Sequence, residues 1–432
     1  MEDVLDEWRI TILNSEIAAE ESSAPDDART GKKKDVSYEM EDMLDEWRTK
    51  ILKSEIAANE SSAPDDARTG KKKEAILKDK EYLTHLELRF NDDDEAVKND
   101  DDDDDEALKN DDDEAVKSDD NDEALSLKSS RFDLLEALNN DDEPVQSVLE
   151  YLEPHPNLEN LGIVFYNGSK FPSWMEFPNW EGRSIMLRQL RIMSCKKLKV
   201  LPALGRLEFL EDLYLFELYS VSAMGLEVLG VLKNGDSSAA PVIAFPNLKK
   251  LTIWNMKHWE EWVIKTTVNI TVMPLLQELF IYDCPMLKSL PCQILSSSLR
   301  EMTIDSCPYL EVSYLPPFLE NLKLKKDAGS LSISLPIQNG LHSNLKSLAI
   351  WYSPHSTLPQ GLSQLNALKT LKIRYCDSLT RIPDELQHLT SLQKLKIYKC
   401  PILRPRCKKE VGEDWSIISH IPNIQIDLEK IQ

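Results

Sequence analysis

The chain has 432 residues, of which 41% are hydrophobic, and carries a formal net charge of −24 at pH 7. That length suits two or three ordinary domains or one long repeat array. So acidic a chain without a basic stripe is a poor match for direct nucleic-acid binding, and no run reaches the roughly 18 to 20 apolar residues that span a bilayer.

Residues 2–34 and 41–73 are near-copies, both built on "LDEWR" and ending in "SSAPDDARTGKKK". In the first, Val4, Leu5, Trp8, Ile12 and Ile17 fall on one helical face; Met43, Leu44, Trp47, Ile51 and Ile56 match them in the second. Residues 1–80 are therefore expected to hold two short amphipathic helices, each stopped near Pro25 or Pro64. An isolated helix of about 20 residues is marginal, so each stripe needs a surface: the other copy, the rest of the chain, or a partner. "GKKK" lacks both the upstream glycine and the hydroxyl residue of a phosphate-binding loop, so no nucleotide cofactor is expected. The opening "MEDVLDEW" shows no basic segment followed by an apolar run. With seven cysteines, an odd number, the expectation is a soluble cytoplasmic protein with reduced thiols.

A first strand frame begins at Leu83, followed by an acidic stretch over 91–130 in which D-E-A-[VL]-K or a close variant recurs. Such a stretch cannot bury enough apolar surface to order itself and is expected to be a disordered loop. "RFDLLEALNN" and "VQSVLEYLEPHPNL" then read as two short helices.

Beyond them, the frame apolar-x-x-apolar-x-apolar recurs from Leu158, Leu187, Leu210, Leu248, Leu276, Leu299, Leu319, Leu345, Leu368, Leu392 and Ile421. Most intervals lie between 20 and 29 residues, the length and pattern of leucine-rich repeats. Residues 83–432 are thus expected to form an α/β leucine-rich-repeat solenoid, a horseshoe whose parallel strands line its concave side. The ninth position of the frame is cysteine at Cys195, Cys284, Cys307, Cys376 and Cys400. A zinc site needs four converging ligands at close spacing, and one thiol per repeat does not supply them. The better reading is a small polar peg that bonds loop backbone.

Several segments carry a family resemblance. "SYEMEDMLDEW" (residues 37–47) resembles the acidic helix motif in the coiled-coil domain of plant intracellular immune receptors that combine coiled-coil, nucleotide-binding and leucine-rich-repeat parts. "LEPHPNLENLGIVFYNGSKFPSW", "CKKLKVLPALGRLEFLEDLYL" and "ISHIPNIQID" are similar to the beginning, body and end of their repeat region. Nothing here matches the family's nucleotide-binding domain. The resemblance implies a truncated resistance-like protein whose repeats bind a pathogen effector, a guarded host protein or a full-length receptor. It also implies that Glu2, Asp3, Asp6, Glu41, Asp42 and Asp45 act as acidic partners for arginines of the repeat sheet.

In a repeat strand, side chains alternate between core and sheet face. The third, fifth, seventh and eighth frame positions place Tyr214, Phe216, Trp254, Phe280, Tyr282, Trp351, Tyr352, Lys372, Arg374, Tyr375, Lys396 and Tyr398 on the concave face, as candidate partner-binding residues. Aromatics and arginine are the usual anchors of protein interfaces, although aromatics also pack across sheets without function. The lysines near the end suit an acidic partner. A second reading is a substrate adaptor of a ubiquitin ligase, which would need a recruiting box unlike the duplicated acidic helix. No H-E-x-x-H or G-x-S-x-G motif occurs, so no catalytic or metal-binding residues are expected.

Overall fold

The computed structural model describes residues 84–90, 149, 152–176, 179–180, 183–225, 227–230, 242–262, 270–292, 298–337, 344–427 and 429–432. The duplicated helices of residues 1–80, with Glu2, Asp3, Asp6, Glu41, Asp42 and Asp45, lie outside these. So do the acidic stretch 91–130 and most of the two short helices after it.

A strand begins two residues after the first residue of every frame. The strands are β1 (His85–Arg89), β2 (Asn160–Val164), β3 (Gln189–Met193), β4 (Asp212–Phe216), β5 (Lys250–Trp254) and β6 (Glu278–Tyr282). They continue as β7 (Glu301–Asp305), β8 (Asn321–Lys325), β9 (Ser347–Trp351), β10 (Thr370–Arg374), β11 (Lys394–Tyr398) and β12 (Asn423–Ile426). Their order in the sheet is their order in the sequence. Each pairs in parallel with the next, and every frame position faces the same position of its neighbour, as in Lys250↔Glu278 and Ile253↔Ile281. A short strand β13 (Glu429–Lys430) departs from the parallel expectation. It folds back antiparallel on β12 and satisfies part of the backbone along that strand's open edge.

The register follows from what each strand buries. In the repeat that carries β10, Leu368, Leu371 and Ile373, the first, fourth and sixth frame positions, are all fully buried. Burying one such side chain contributes about 1.5–3 kcal/mol. Fixing the backbone costs about 1–2 kcal/mol per residue, so one repeat cannot hold itself and must stack. A slip of one residue would turn these side chains onto the sheet face.

The return segments are short turns and brief helices such as Leu204–Arg206, Leu362–Gln364 and Asp384–His388. On that side Ala223–Met224 pairs in parallel with Glu261–Trp262, and single bridges carry the ladder on to Ser289 and Glu311. Near the first repeats, Tyr166 stacks on Phe171 with centroids 5.7 Å apart and donates its hydroxyl to the Lys170 carbonyl at 2.6 Å. Gly168 makes this possible: a Cβ there would lie 2.1 Å from the Tyr166 hydroxyl oxygen. The Trp174 indole N–H donates to the Leu149 carbonyl at 2.9 Å, and Leu149 is fully buried.

The ninth-position cysteines are buried, and their thiols serve the backbone. Cys376 Sγ donates to the Arg374 carbonyl at 3.3 Å in its own turn and to the Ile350 carbonyl at 3.6 Å one repeat earlier. Cys195 repeats the pattern with Met193 and Ile163, and Cys400 with Tyr398 and Ile373. Burial pushes the Cys195, Cys292 and Cys407 thiols up to about 12. Cys376 is raised by its hydrogen bond to Cys400 and by burial. All seven thiols are free and buried. Because these thiols are covered, Ellman's reagent is expected to titrate almost none of them in native buffer and all of them in denaturant. Rapid labelling of even two thiols in native buffer would contradict this arrangement.

Candidate functional site

At the eighth frame position, each of ten residues from Phe165 to Lys399 adopts a left-handed conformation, with φ between 48° and 58°. None is glycine, and such a conformation costs about 1–2 kcal/mol per residue for L-amino acids. The compensation recurs from repeat to repeat: the eighth-position N–H donates to the seventh-position carbonyl of the next strand. Glu217 to Trp254, Lys326 to Trp351 and Tyr375 to Tyr398 are instances, at 3.0, 2.8 and 2.9 Å. The kink breaks the pleat's alternation. Two consecutive side chains then stand on the sheet face before the chain turns inward at the ninth position.

Strict register lines up the seventh-position side chains as one row across the sheet. From β4 to β11 the row reads Phe216, Trp254, Tyr282, Asp305, Lys325, Trp351, Arg374, Tyr398. Phe216 meets Trp254 edge-on at 5.6 Å, and Trp254 lies 5.5 Å from Tyr282. Tyr214 and Phe280, at the fifth position, stack on Phe216 and Tyr282 of their own strands, each at 6.3 Å. A second aromatic group forms at the other end. Tyr352 stacks on Tyr375 at 4.6 Å with rings 3° from parallel, and Tyr375 meets Tyr398 edge-on at 5.4 Å. Such pairs are each worth about 0.5–1.5 kcal/mol beyond burial. Packing does not hide the rings, however: Trp254 remains 40% exposed and Tyr352 49%.

Charge is distributed unevenly along the face. Around the first aromatic group stand Asp212, Glu217, Glu278 and Asp283, and the Trp254 indole N–H donates to Asp283 at 2.9 Å. Burial raises the Asp212 carboxyl above its ordinary value, against the pull of Lys250 and Arg191. Beyond Asp305 the sign reverses. Lys323, Lys325 and Arg374 gather over the Trp351 ring at 4.8, 5.3 and 5.1 Å from its centroid. Lys372 and Lys396 adjoin them at the fifth position of β10 and β11. Each of the twelve sequence-nominated face residues lies on β4, β5, β6, β9, β10 or β11 or in the eighth-position kink after them. The structure divides them into an acid-flanked aromatic group and a basic one. Sequence reading did not name Lys323 and Lys325 of β8, though the same frame positions would have found them. Among the described residues no cluster of His, Cys, Asp and Glu is arranged to hold a metal ion, and no helix is long and apolar enough to cross a membrane.

The fold defines a leucine-rich-repeat solenoid. Two family profiles match it: "R13L1/DRL21 LRRs" over residues 117–218 and 338–400, and "Plant disease resistance protein RPS2-like, leucine-rich repeats" over 174–308. The chain is 32% identical over 309 residues to putative disease resistance protein RGA4 of Solanum bulbocastanum, covering 65% of this chain and 30% of that protein. It is 28% identical over 269 residues to putative disease resistance RPP13-like protein 1 of Arabidopsis thaliana, covering 60% and 24%. With disease resistance protein RGA2 of S. bulbocastanum the identity is 36% over 291 residues, covering 65% and 28%. The repeat region is similar to the leucine-rich-repeat regions of plant disease resistance proteins. The chain's matched region spans under a third of the length of these relatives.

Proposed function

We propose that this chain is a non-enzymatic recognition module of the plant defence response, acting in the cytoplasm. Its concave face would bind a protein partner: a pathogen effector, a guarded host protein or a full-length receptor. The observation that supports this reading is the seventh-position row, where aromatic rings and cations fill seven of eight successive strands, interrupted by the buried Asp305, and stay partly open to solvent. Extended sheet faces of solenoids are the usual binding surfaces of such arrays, and a few aromatic or arginine anchors carry most of the affinity.

The test is comparative capture from plant extract by the full chain and by a Trp254→Ala/Tyr282→Ala variant. A partner held by this face should be retained by the parent and lost by the variant, then bind the purified parent directly. Equal capture by both would reject the face. Because both side chains sit outside the core leucines, the variant should keep the parent's circular dichroism spectrum.

A further inference from the structure

We propose that the face formed by β8 to β11 binds an unphosphorylated, carboxylate-rich extended segment of a partner protein. The assignment deepens the recognition reading above and rests on it. Across Asn321–Lys326, Ser347–Tyr352, Thr370–Tyr375 and Lys394–Lys399 the sequence places eight cationic side chains and no carboxylate. Asp305 and Asp283 offset one edge, where Lys325 and Lys326 approach them at 3.7 to 3.9 Å; at the other edge Asp427 accepts from the Lys399 backbone N–H at 2.8 Å and is paired with Arg404 at 3.0 Å.

Toward β10 and β11 the cations face one another. Burial holds the Lys396 ammonium below its ordinary value, and the charges of Lys394, Arg374 and Lys372 lower it further. The patch also holds donors without acceptors: Trp351 Nε1 and Arg374 Nε are buried with no hydrogen-bond partner. A buried donor left unmatched costs about 1–3 kcal/mol, and the lysine stems over Trp351 are flexible enough to let an acceptor in.

Carboxylates supply both the missing acceptors and the missing charge, and arginine binds them through two parallel N–H donors. Three strand spacings of about 4.8 Å make the patch roughly 14 Å wide, which an extended peptide crosses in about four or five residues. Aromatic surfaces on either side of the cations fit the apolar parts of such a segment.

The experiment uses the full chain and a fluorescein-labelled peptide of about eight residues alternating Glu and Ser, followed by anisotropy. A protein of net charge −24 repels this probe unless a local field overcomes the total. The expected result is saturable binding that weakens steeply with salt. Affinity should fall about tenfold or more in Lys372→Glu/Lys396→Glu and drop clearly in the milder Arg374→Gln, with Lys288→Gln, on the return side, as an unaffected control. Absence of saturable binding up to about 1 mM overturns the assignment, whether the patch is idle or another part of the chain holds it. Equal affinity for a Gln-for-Glu peptide, or full retention in both patch variants, overturns it as well. Binding of a phosphoserine peptide with Gln for Glu about tenfold tighter than the acidic probe gives the face to a phosphate ligand and overturns the carboxylate reading. If the acidic probe fails while Trp254→Ala/Tyr282→Ala still loses its partner, the recognition reading stands and only this chemistry falls.

Discussion

Replacing Trp259 by alanine is expected to destabilise the array by about 3–5 kcal/mol, the usual cost of deleting a buried tryptophan. Trp259 is fully buried in the return segment after β5, 5.7 Å from Trp262, and its indole N–H donates to the Glu261 carbonyl at 3.1 Å. Here the chain spends 28 residues between frames, from Leu248 to Leu276, and one large ring fills what shorter repeats fill with a leucine. The site is interior, so its repeat touches neighbours on both sides and its loss weakens two interfaces together. Urea titration followed by circular dichroism should show the main transition moving to lower denaturant. A shift below about 1 kcal/mol would mean that the surrounding repeats collapse into the space and that the ring is filler.

The second large effect is expected at the opposite kind of position. Asp414 is 2% exposed and accepts three hydrogen bonds: from Arg406 Nε and Nη2 at 3.1 and 2.6 Å, and from the Ile382 backbone N–H at 2.9 Å. It ties the loop after β11 to the return segment of the preceding repeat. Asp414→Ala strands a buried backbone donor and removes both charge-assisted bonds, at a cost of about 3 kcal/mol. Asp414→Asn keeps an acceptor and should lose about half as much. Because this tie lies near one end, the array is expected to unfold in two steps, with the last repeats first. Hydrogen exchange would show protection lost in β11 and β12 while β5 to β7 stay protected. A uniform loss across the sheet would contradict a local role.

The two cases also mark what was readable in the sequence. Each of β1 to β12 is found by adding two residues to the first residue of a frame, because burial of the first, fourth and sixth side chains is a local, periodic requirement. The cysteine pegs were equally legible, since a thiol that serves one turn serves the same turn in each repeat. Asp414 was not, because its partners Arg406 and Ile382 are brought to it by the superposition of return segments and belong to no repeating pattern. The left-handed eighth residue was invisible for another reason. Phenylalanine, serine, glutamate, lysine and tyrosine all occupy it, so no residue type signals the conformation; a backbone bond to the next strand does. Of the candidate face, the members were legible one strand at a time, whereas their grouping into an acid-flanked cluster and a basic one required the register.

That backbone bond at the eighth position has a consequence for how the surface can change. Main-chain atoms hold the kink and align the rows at nine of the ten positions, Lys399 donating instead to the Asp427 carboxylate, so the scaffold tolerates different side chains there. A new specificity can therefore be written column by column, like movable type set in a fixed frame, each exchange costing only the ring or hydrogen-bond contacts that the old side chain made with its neighbours.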